Sequence, residues 1–560
     1  MAIAGIDLGT TNSLIAVWTA DGPKLLENAL GETLTPSAVS IADDGVAVVG
    51  SAALERLITH PERSVASFKR WMGTSAGARL ADRDYRAEEL SALVLRALRE
   101  DAEARHGERI EEAVISVPAY FNDPQRKATL DAARLAGLNV QRLINEPTAA
   151  ALAHGLETVE DGHFLILDLG GGTFDVSLLH KLEGMMEVRS SAGDAMLGGN
   201  DFRDVLVNVL LKRHDLDAGK LQRTEIAQIV HEADRLKHRL TEKSEAAYEF
   251  LLGGEARNGT VSRDSFEEAV APLVKRLRTP IERTVNDAGM DVAKIDQVVL
   301  VGGATRMPLL RALVTKLFGR FPMIHPRPDH VIALGAAVQA GLKSRDAALE
   351  DIVMTDVCPF TLGTAVIDRA NREEQLLSPI IERNSIVPIS RMKNYVTTQD
   401  RQTCIRIDVL QGENLRPSQN TKLGEIEIGV PLAPAGQQTV AVRYTYDING
   451  ALEVEVKALA IDKVERRVFR NQSNLSDKDL EERFAALAAI KLSPREQAEN
   501  RALIARAERL YAESLGEARD RLVSMLQQFE VALNDPSTRD AGRLRRDFAA
   551  ALARFERSPF

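Results

Sequence analysis

The stretch Leu165–Leu179 reads LILDLGGGTFDVSLL. An apolar run ends in Asp168, breaks at Gly170-Gly171-Gly172, passes Thr173 and Asp175 and turns apolar again, the pattern of two strands joined by a phosphate-sized turn. The N-terminus carries a counterpart: Gly5–Val17 is GIDLGTTNSLIAV, a strand, then Asp7, Gly9, Thr10-Thr11 and a second strand. Glycines let backbone N–H groups reach phosphate oxygens, threonines add hydroxyl donors, and aspartates can hold a hydrated divalent cation that neutralises phosphate charge. One such turn is an ordinary tight hairpin. Two of them, facing each other, would clamp a nucleoside triphosphate.

A chain of 560 residues is too long for one core and predicts about three or four domains. Hydrophobic content of 44%, charged content of 27% and aromatic content of 4% describe a globular chain, not a disordered or fibrous one. A net charge of −10 gives no electrostatic reason to expect nucleic acid or an anionic membrane. Cys358 and Cys404, the two cysteines, are too few for a disulfide framework or a thiolate metal site and read as small hydrophobes. The first strand begins at Ala2–Ile6 with no basic leader, and no apolar run approaches the roughly 18 residues of a membrane span. A cytoplasmic location is the expectation.

Beyond the first hairpin, Lys24–Asn28, Pro36–Ile41 and Ala47–Gly50 predict a small mixed sheet. In Ser64–Met72 (SVASFKRWM), Lys69 reads by pattern alone as the surface charge of an amphipathic helix. Glu88–Ala104 has helical periodicity, Glu111–Val117 is a strand ended by Pro118, and Pro124–Ala136 is a helix stopped by Gly137. Pro147 suits the first turn of a helix, which makes Glu146 either an N-terminal cap or an active-site carboxylate. Gly193–Asp201 is a Gly-rich turn before a helix, Ile226–Thr241 is amphipathic, and Val298–Pro308 (VVLVGGATRMP) runs from a strand through Gly302-Gly303 into a helix, a common phosphate or nucleoside geometry. Gly335–Gly341 closes a small-residue helix able to pack tightly on a sheet. Past Lys343 the chain turns polar, and Asp351–Asp356 (DIVMTD) is a linker or an edge strand. Strand-like runs at Ile386–Ile389, Ile405–Leu410, Glu425–Ile428, Thr439–Asp447 and Ala451–Ala460 predict a β-sandwich. Helix starts follow at Ser476-Asp477-Lys478-Asp479 and Ser493-Pro494, with a last helix over Pro536–Phe555 and no sustained heptad.

The strings GIDLGTTNS, VPAYFN, NEPTAAALAHG, LDLGGGTFDVS, LGGND and LVGGATRMP occur in this order. Together they resemble the actin-like ATPases, and more closely the heat shock protein 70 family of DnaK-type chaperones, over nearly the whole chain. The resemblance implies an α/β actin-like ATPase of duplicated ribonuclease-H-like lobes over 1–343 and a linker over 344–356. It further implies an all-β peptide-binding sandwich over 357–470 and an α-helical lid over 471–560. Gly9, Thr10, Thr11 and Asn12 match the family's first phosphate hairpin, and Gly171, Gly172 and Thr173 the second. Asp7, Asp168 and Asp175, with Glu146, match the surroundings of Mg²⁺, its waters and flanking K⁺. Lys69 matches the lysine that reaches the γ-phosphate and the attacking water, so the resemblance overturns its surface reading; Glu146, Thr173 and Asp175 join it in catalysis. The adenosine pocket corresponds to Lys237, Thr241, Gly303, Ala304, Arg306 and Asp329, and the relay between domains to Pro118, Arg126 and Asp356. Groove positions are Thr364, Val366, Ile367, Tyr395, Val396, Thr398, Ile405 and Ile407, each of which equally fits core packing. Alternation across Arg406 places Ile405 and Ile407 on one face.

By the same resemblance the protein hydrolyses ATP to ADP, binds and releases extended hydrophobic segments of unfolded polypeptides, works with a J-domain co-chaperone and is a monomer. A filament-forming relative would not need the segments after 343, and a kinase on this scaffold would show an acceptor site instead. Several features depart from the general family member: a short stretch between Gly73 and Glu88, a trimmed Glu242–Val261 segment, and an end at Phe560 without an acidic tail. These are most like the HscC-type bacterial branch and lead us to expect no need for an exchange factor. Ala195 and Asp234 replace a threonine and a glutamate, which predicts looser nucleotide binding. Thr355 replaces a leucine, which predicts weaker docking of the linker.

Overall fold

The computed structural model describes residues 2–157, 161–182, 185–344, 349, 353–367, 374–448, 450–469, 483, 487, 490, 492, 497–534 and 541–557. The expected helix starts at Ser476-Asp477-Lys478-Asp479, Ser493-Pro494 and Pro536, and Asp351 and Ile352 of DIVMTD, lie outside the described residues.

Two large sheets repeat one order. In the first, Gly22–Leu25, Asn12–Thr19 and Ile3–Leu8 form an antiparallel meander, and Glu112–Val117 and Asn139–Asn145 add parallel to it. In the second, Met185–Asp194, Phe174–Leu182 and Gly162–Leu169 form the meander, and Gln297–Val301 and Met323–Ile324 add in parallel. Each sheet packs helices over its outer face around its own buried cluster. Of the expected small mixed sheet, Lys24 and Leu25 belong instead to the first large sheet, and Ala38–Ile41 lies between Ala47–Val49 and Ser64–Ala66, antiparallel throughout. The segment after Gly73 is a short hairpin of Gly77–Leu80 and Arg83–Arg86. The Glu242–Val261 segment is likewise a hairpin, Glu245–Leu252 with Glu255–Ser262.

Between the two sheets, helices Glu146–Glu157 and Val331–Lys343 pack on one another in a third buried cluster of small and branched side chains. They lie close enough that a Cβ on Gly335 would come within 1.7 Å of the Ala149 carbonyl oxygen, so only glycine admits the crossing.

Strand Val353–Val357 pairs in parallel with Met185–Glu187 of the second sheet and antiparallel with Ile386–Val387, so the described part of DIVMTD is a connecting strand with a neighbour on each side, not an edge strand. Thr355 pairs in register with Glu187 although its hydroxyl is buried without a hydrogen-bond partner, an arrangement that costs about 1–3 kcal/mol. Two four-stranded sheets follow, one containing Cys404–Gln411 and Thr421–Gly429, the other Thr439–Tyr446 and Leu452–Ala458, closed on a common core. Strands Leu362–Ile367, Gln375–Ile381, Ile389–Val396 and Lys463–Phe469 add to those expected. Arg383 grips Asp287 of the second lobe through two hydrogen bonds of 2.8 Å, and Asn384 reaches the same carboxylate.

Helices Ala498–Ala512, Glu517–Asn534 and Ala541–Arg557 form a bundle around Leu510, Leu522, Phe529 and Phe548. Ala498–Ala512 lies along Ser51–Thr59 of the first lobe, where Arg509, 5% exposed, is ion-paired with Glu55, Glu513 and Glu556. Across this contact, His231 of the second lobe stands 3.5 Å from Glu513. Burial, then Arg509 and Arg235, push its imidazole down to about 3, against the pull of Asp234 and Glu556. Once the bundle lifts away, the ring returns towards about 6.5, so the undocked form takes up the proton first. Docking therefore holds above about pH 6.5 and loses about tenfold per unit below it. Glu513 opposes the trend, since burial raises its carboxyl. Hydrogen-exchange protection of Ala498–Ala512 is expected to fall between pH 7.5 and 5.5 in the wild type and to fall less in His231→Gln; an equal fall in both would remove His231 from the balance.

Candidate active site

Each phosphate-type turn closes an antiparallel hairpin: Asp7 lies opposite Leu14 in the first, and Asp168 opposite Asp175 in the second. The two tips meet. A Cβ on Gly171 would lie 1.8 Å from Thr11 Oγ1, and one on Gly172 2.6 Å from Thr10 Oγ1, so bare backbone is what fits there. Below the tips is a cavity of about 960 Å³. Lining it together are Asp7, Gly9, Thr10, Thr11, Asn12, Lys69, Glu146, Asp168, Gly171, Thr173, Lys237, Thr241, Gly303, Ala304, Arg306 and Asp329. Gly172 completes the second tip, and Asp175 lies behind it, 1% exposed.

Lys69 is not on an amphipathic helix. Strand Ser64–Ala66 ends at Ser67, which takes a left-handed φ of 60°, and a 3₁₀ turn over Phe68–Trp71 drives the lysine inward. Its Nζ donates to Glu146 Oε1 at 2.6 Å, with both groups buried. Glu146 is thus both the first residue of its helix and a member of the charged cluster. Asp7 accepts from Ser116 Oγ at 2.7 Å, and Asp175 from the Tyr120 N–H at 3.1 Å. Burial and then Glu146 push Asp7 up to about 7 and Asp175 up to about 8, and raise Asp168 well above the usual carboxylate range.

Four buried carboxyl groups crowd around the Lys69 ammonium, the raised values of Asp7, Asp168 and Asp175 reflect how unfavourable the combined charge is without a further cation, and Asp168 Oδ2 is buried with no hydrogen-bond partner. Both observations fit a divalent cation. Among the described residues no group of three or more His, Cys, Asp or Glu side chains is placed to hold a metal ion directly.

At the other lining groups, Lys237 Nζ donates to Asp234 at 2.7 Å, and Thr241 stands one turn further along the same helix. Asp234 is held below the usual carboxylate range by His238 and Lys237 against the effect of its burial. Arg306 pairs with Asp329 at 2.6 Å. Gly302-Gly303 opens first into a 3₁₀ turn, Gly303–Arg306, and the helix expected there begins only at Pro308.

Arg126 and Asp356 are brought together by Asn145, and Pro118 opens the turn whose carbonyls Arg126 holds. The Pro118 carbonyl closes a turn with Phe121 N–H. Arg126 donates to the carbonyls of Ala119 and Phe121 and to Asn145 Oδ1 at 2.6 Å. Asn145 Nδ2 in turn donates to Asp356 at 2.9 Å, and Thr148 adds 3.3 Å. The groove positions do not share one surface. Thr364, Ile405 and Ile407 are buried, Val366 and Tyr395 half-buried with Tyr395 bonded to Ser378, and Ile367, Val396 and Thr398 exposed. Ile405 and Ile407 do lie on one face, that of the sandwich core.

Several neighbours were not singled out from sequence. Arg70 reaches across from the first lobe to the Gly172 carbonyl at 2.9 Å and to Asp201. Tyr120 packs its ring at a tilt of 43° against Phe360 of the sandwich while its N–H holds Asp175. Both lie inside quoted stretches, SVASFKRWM and VPAYFN, so their place in those stretches was the available signal; Ser116, within a strand, offered none. The family model described as Hsp70 protein matches residues 3–541.

Proposed function

The chain belongs to the Hsp70 family, and from that premise we propose an ATP-dependent chaperone in which hydrolysis between the lobes controls the binding of extended hydrophobic peptide segments by the sandwich. Membership supports nucleotide binding with Mg²⁺, ATPase activity and a role in protein folding with client polypeptides and J-domain co-chaperones. In this reading the backbone at Gly9–Thr11 and Gly171–Thr173 holds the phosphates, and Lys69 stabilises charge developing on the γ-phosphoryl as water attacks in line. Thr173 donates a hydroxyl, and Asp175, buried behind the second tip, accepts the proton of the attacking water once a bound cation restores its carboxylate form. Asp7, Asp168 and Asp175 would hold Mg²⁺ through its waters, and the ion supplies charge neutralisation; K⁺ beside Glu146 extends this proposal.

One observation carries the coupling: Asp356, on the strand that joins lobes to sandwich, is bonded to Asn145, the residue next to the Lys69 partner Glu146. Single-turnover hydrolysis is expected to rise about tenfold with a hydrophobic peptide in the wild type and to lose that response in Asp356→Ala. A wild-type rate indifferent to peptide would overturn the coupling. Domain limits at 343, 356 and 470, the groove residues, an HscC-type branch, a monomeric cytoplasmic state and independence of an exchange factor belong to the same proposal. Among the described residues no helix is long and apolar enough to cross a membrane.

A further inference from the structure

The helix Ala498–Ala512 touches both lobes. On the first lobe, Ala502 packs against Ala38, Val48, Ala52 and Ala53, Arg509 pairs with Glu55, and Arg501 approaches Asp44 at 3.5 Å. On the second, the Ala512 carbonyl accepts from Gln228 Nε2 at 3.3 Å, and Glu513 faces His231. Arg509 joins the two contacts, because it also pairs with Glu513 at 2.7 Å.

The helices it touches are the two jaws of the cavity. Ser51–Thr59 contributes Leu54, Leu57 and Ile58 to the lining, and Arg223–Glu242 contributes Ile226, Val230 and Asp234. His231 lines the cavity and meets the bundle at once. These helices also touch each other, so opening the cavity on this side requires them to part. A helix bound to both resists that parting.

We propose that the C-terminal bundle is a strap across the mouth of the cleft, and that nucleotide is released when the strap lifts. The inference rests on reading the cleft as a nucleotide site. By linkage, nucleotide that holds the jaws together also favours the docked strap, and undocking must raise the release rate.

The test uses the full chain and a fluorescent, non-hydrolysable ATP analogue chased with unlabelled ATP. Ala502→Arg places a long charged side chain in the small-residue contact with the first lobe and leaves the cavity lining intact. Release is expected to be about tenfold faster than from the wild type, with loss of hydrogen-exchange protection in Ser51–Thr59. Gln228→Ala, which removes only the hydrogen bond to the second lobe, is expected to give a smaller acceleration. Equal release from all three proteins with Ser51–Thr59 deprotected in Ala502→Arg overturns the strap. So does equal protection of that helix in all three, because the contact then does not form in solution. If the wild type binds no analogue, it is the nucleotide reading that falls.

Discussion

Hydrolysis of bound ATP in Lys69→Ala is expected to be about 10²–10³-fold slower than in the wild type under single-turnover conditions, with analogue affinity nearly unchanged. The asymmetry follows from where the groups lie. On the proposed reading affinity is spread over two hairpin tips and over Lys237, Thr241, Arg306 and Asp329 at the cavity wall, whereas Lys69 is paired with Glu146 inside the carboxylate cluster. Its ammonium is held 2.6 Å from Glu146 and 5.6 Å from the Phe121 ring centre, fixed in advance and therefore free of reorganisation cost when charge builds up. Removing it also leaves Glu146 without its partner in a buried site, which costs stability, so Lys69→Met, which keeps the volume, is run alongside with a check of folding. Wild-type hydrolysis in both folded variants would remove Lys69 from the chemistry.

The second large effect concerns stability. Gly335→Ala in the Val331–Lys343 helix would ordinarily stabilise by about 1 kcal/mol through helix propensity. Here the new methyl would lie 1.7 Å from the Ala149 carbonyl oxygen and 2.4 Å from its carbon. The obstacle is backbone, so no side chain can swing aside and the two helices must separate. Overpacking then outweighs propensity, with a net loss of about 3 kcal/mol expected, read as a lowered thermal midpoint of the nucleotide-free protein. Gly219→Ala is the control, since its nearest neighbour would be Asp217 Oδ1 at 3.4 Å. An unchanged midpoint in Gly335→Ala would mean that the helices cross with more room than the structure gives them.

What the sequence disclosed and withheld follows from how local each feature is. The hairpins were legible because turn chemistry resides in consecutive residues: Gly9–Thr11 and Gly170–Thr173 announce themselves. Lys69 was not legible from periodicity, because its burial is imposed by a carboxylate 77 residues away. Strands Ile389–Val396 and Lys463–Phe469 were missed for a different reason. Both are mostly exposed and rich in charge, so pairing with a neighbour, not an alternating pattern, makes them strands. Arg509 in AENRALIARAERLYA looks like one more solvated charge, and only the fold, by bringing Glu55, Glu513 and Glu556 to it, turns it into a buried hub. The groove residues were named through resemblance, and side-chain direction on a strand depends on which sheet lies behind it, which a single strand does not state.

Strand Val353–Val357 has one more consequence. While it is paired, the Met185–Asp194 strand is interior to its sheet. When it departs, the N–H and C=O groups of Met185–Glu187 become a bare rim, a template on which any extended chain can add itself. Little is present to discourage this: Met185 is already 42% exposed, and the Glu187–Arg189 pair at 3.0 Å is the local deterrent. Each departure of the connecting strand therefore carries a risk of self-association, and the hazard grows with protein concentration and with the time spent undocked.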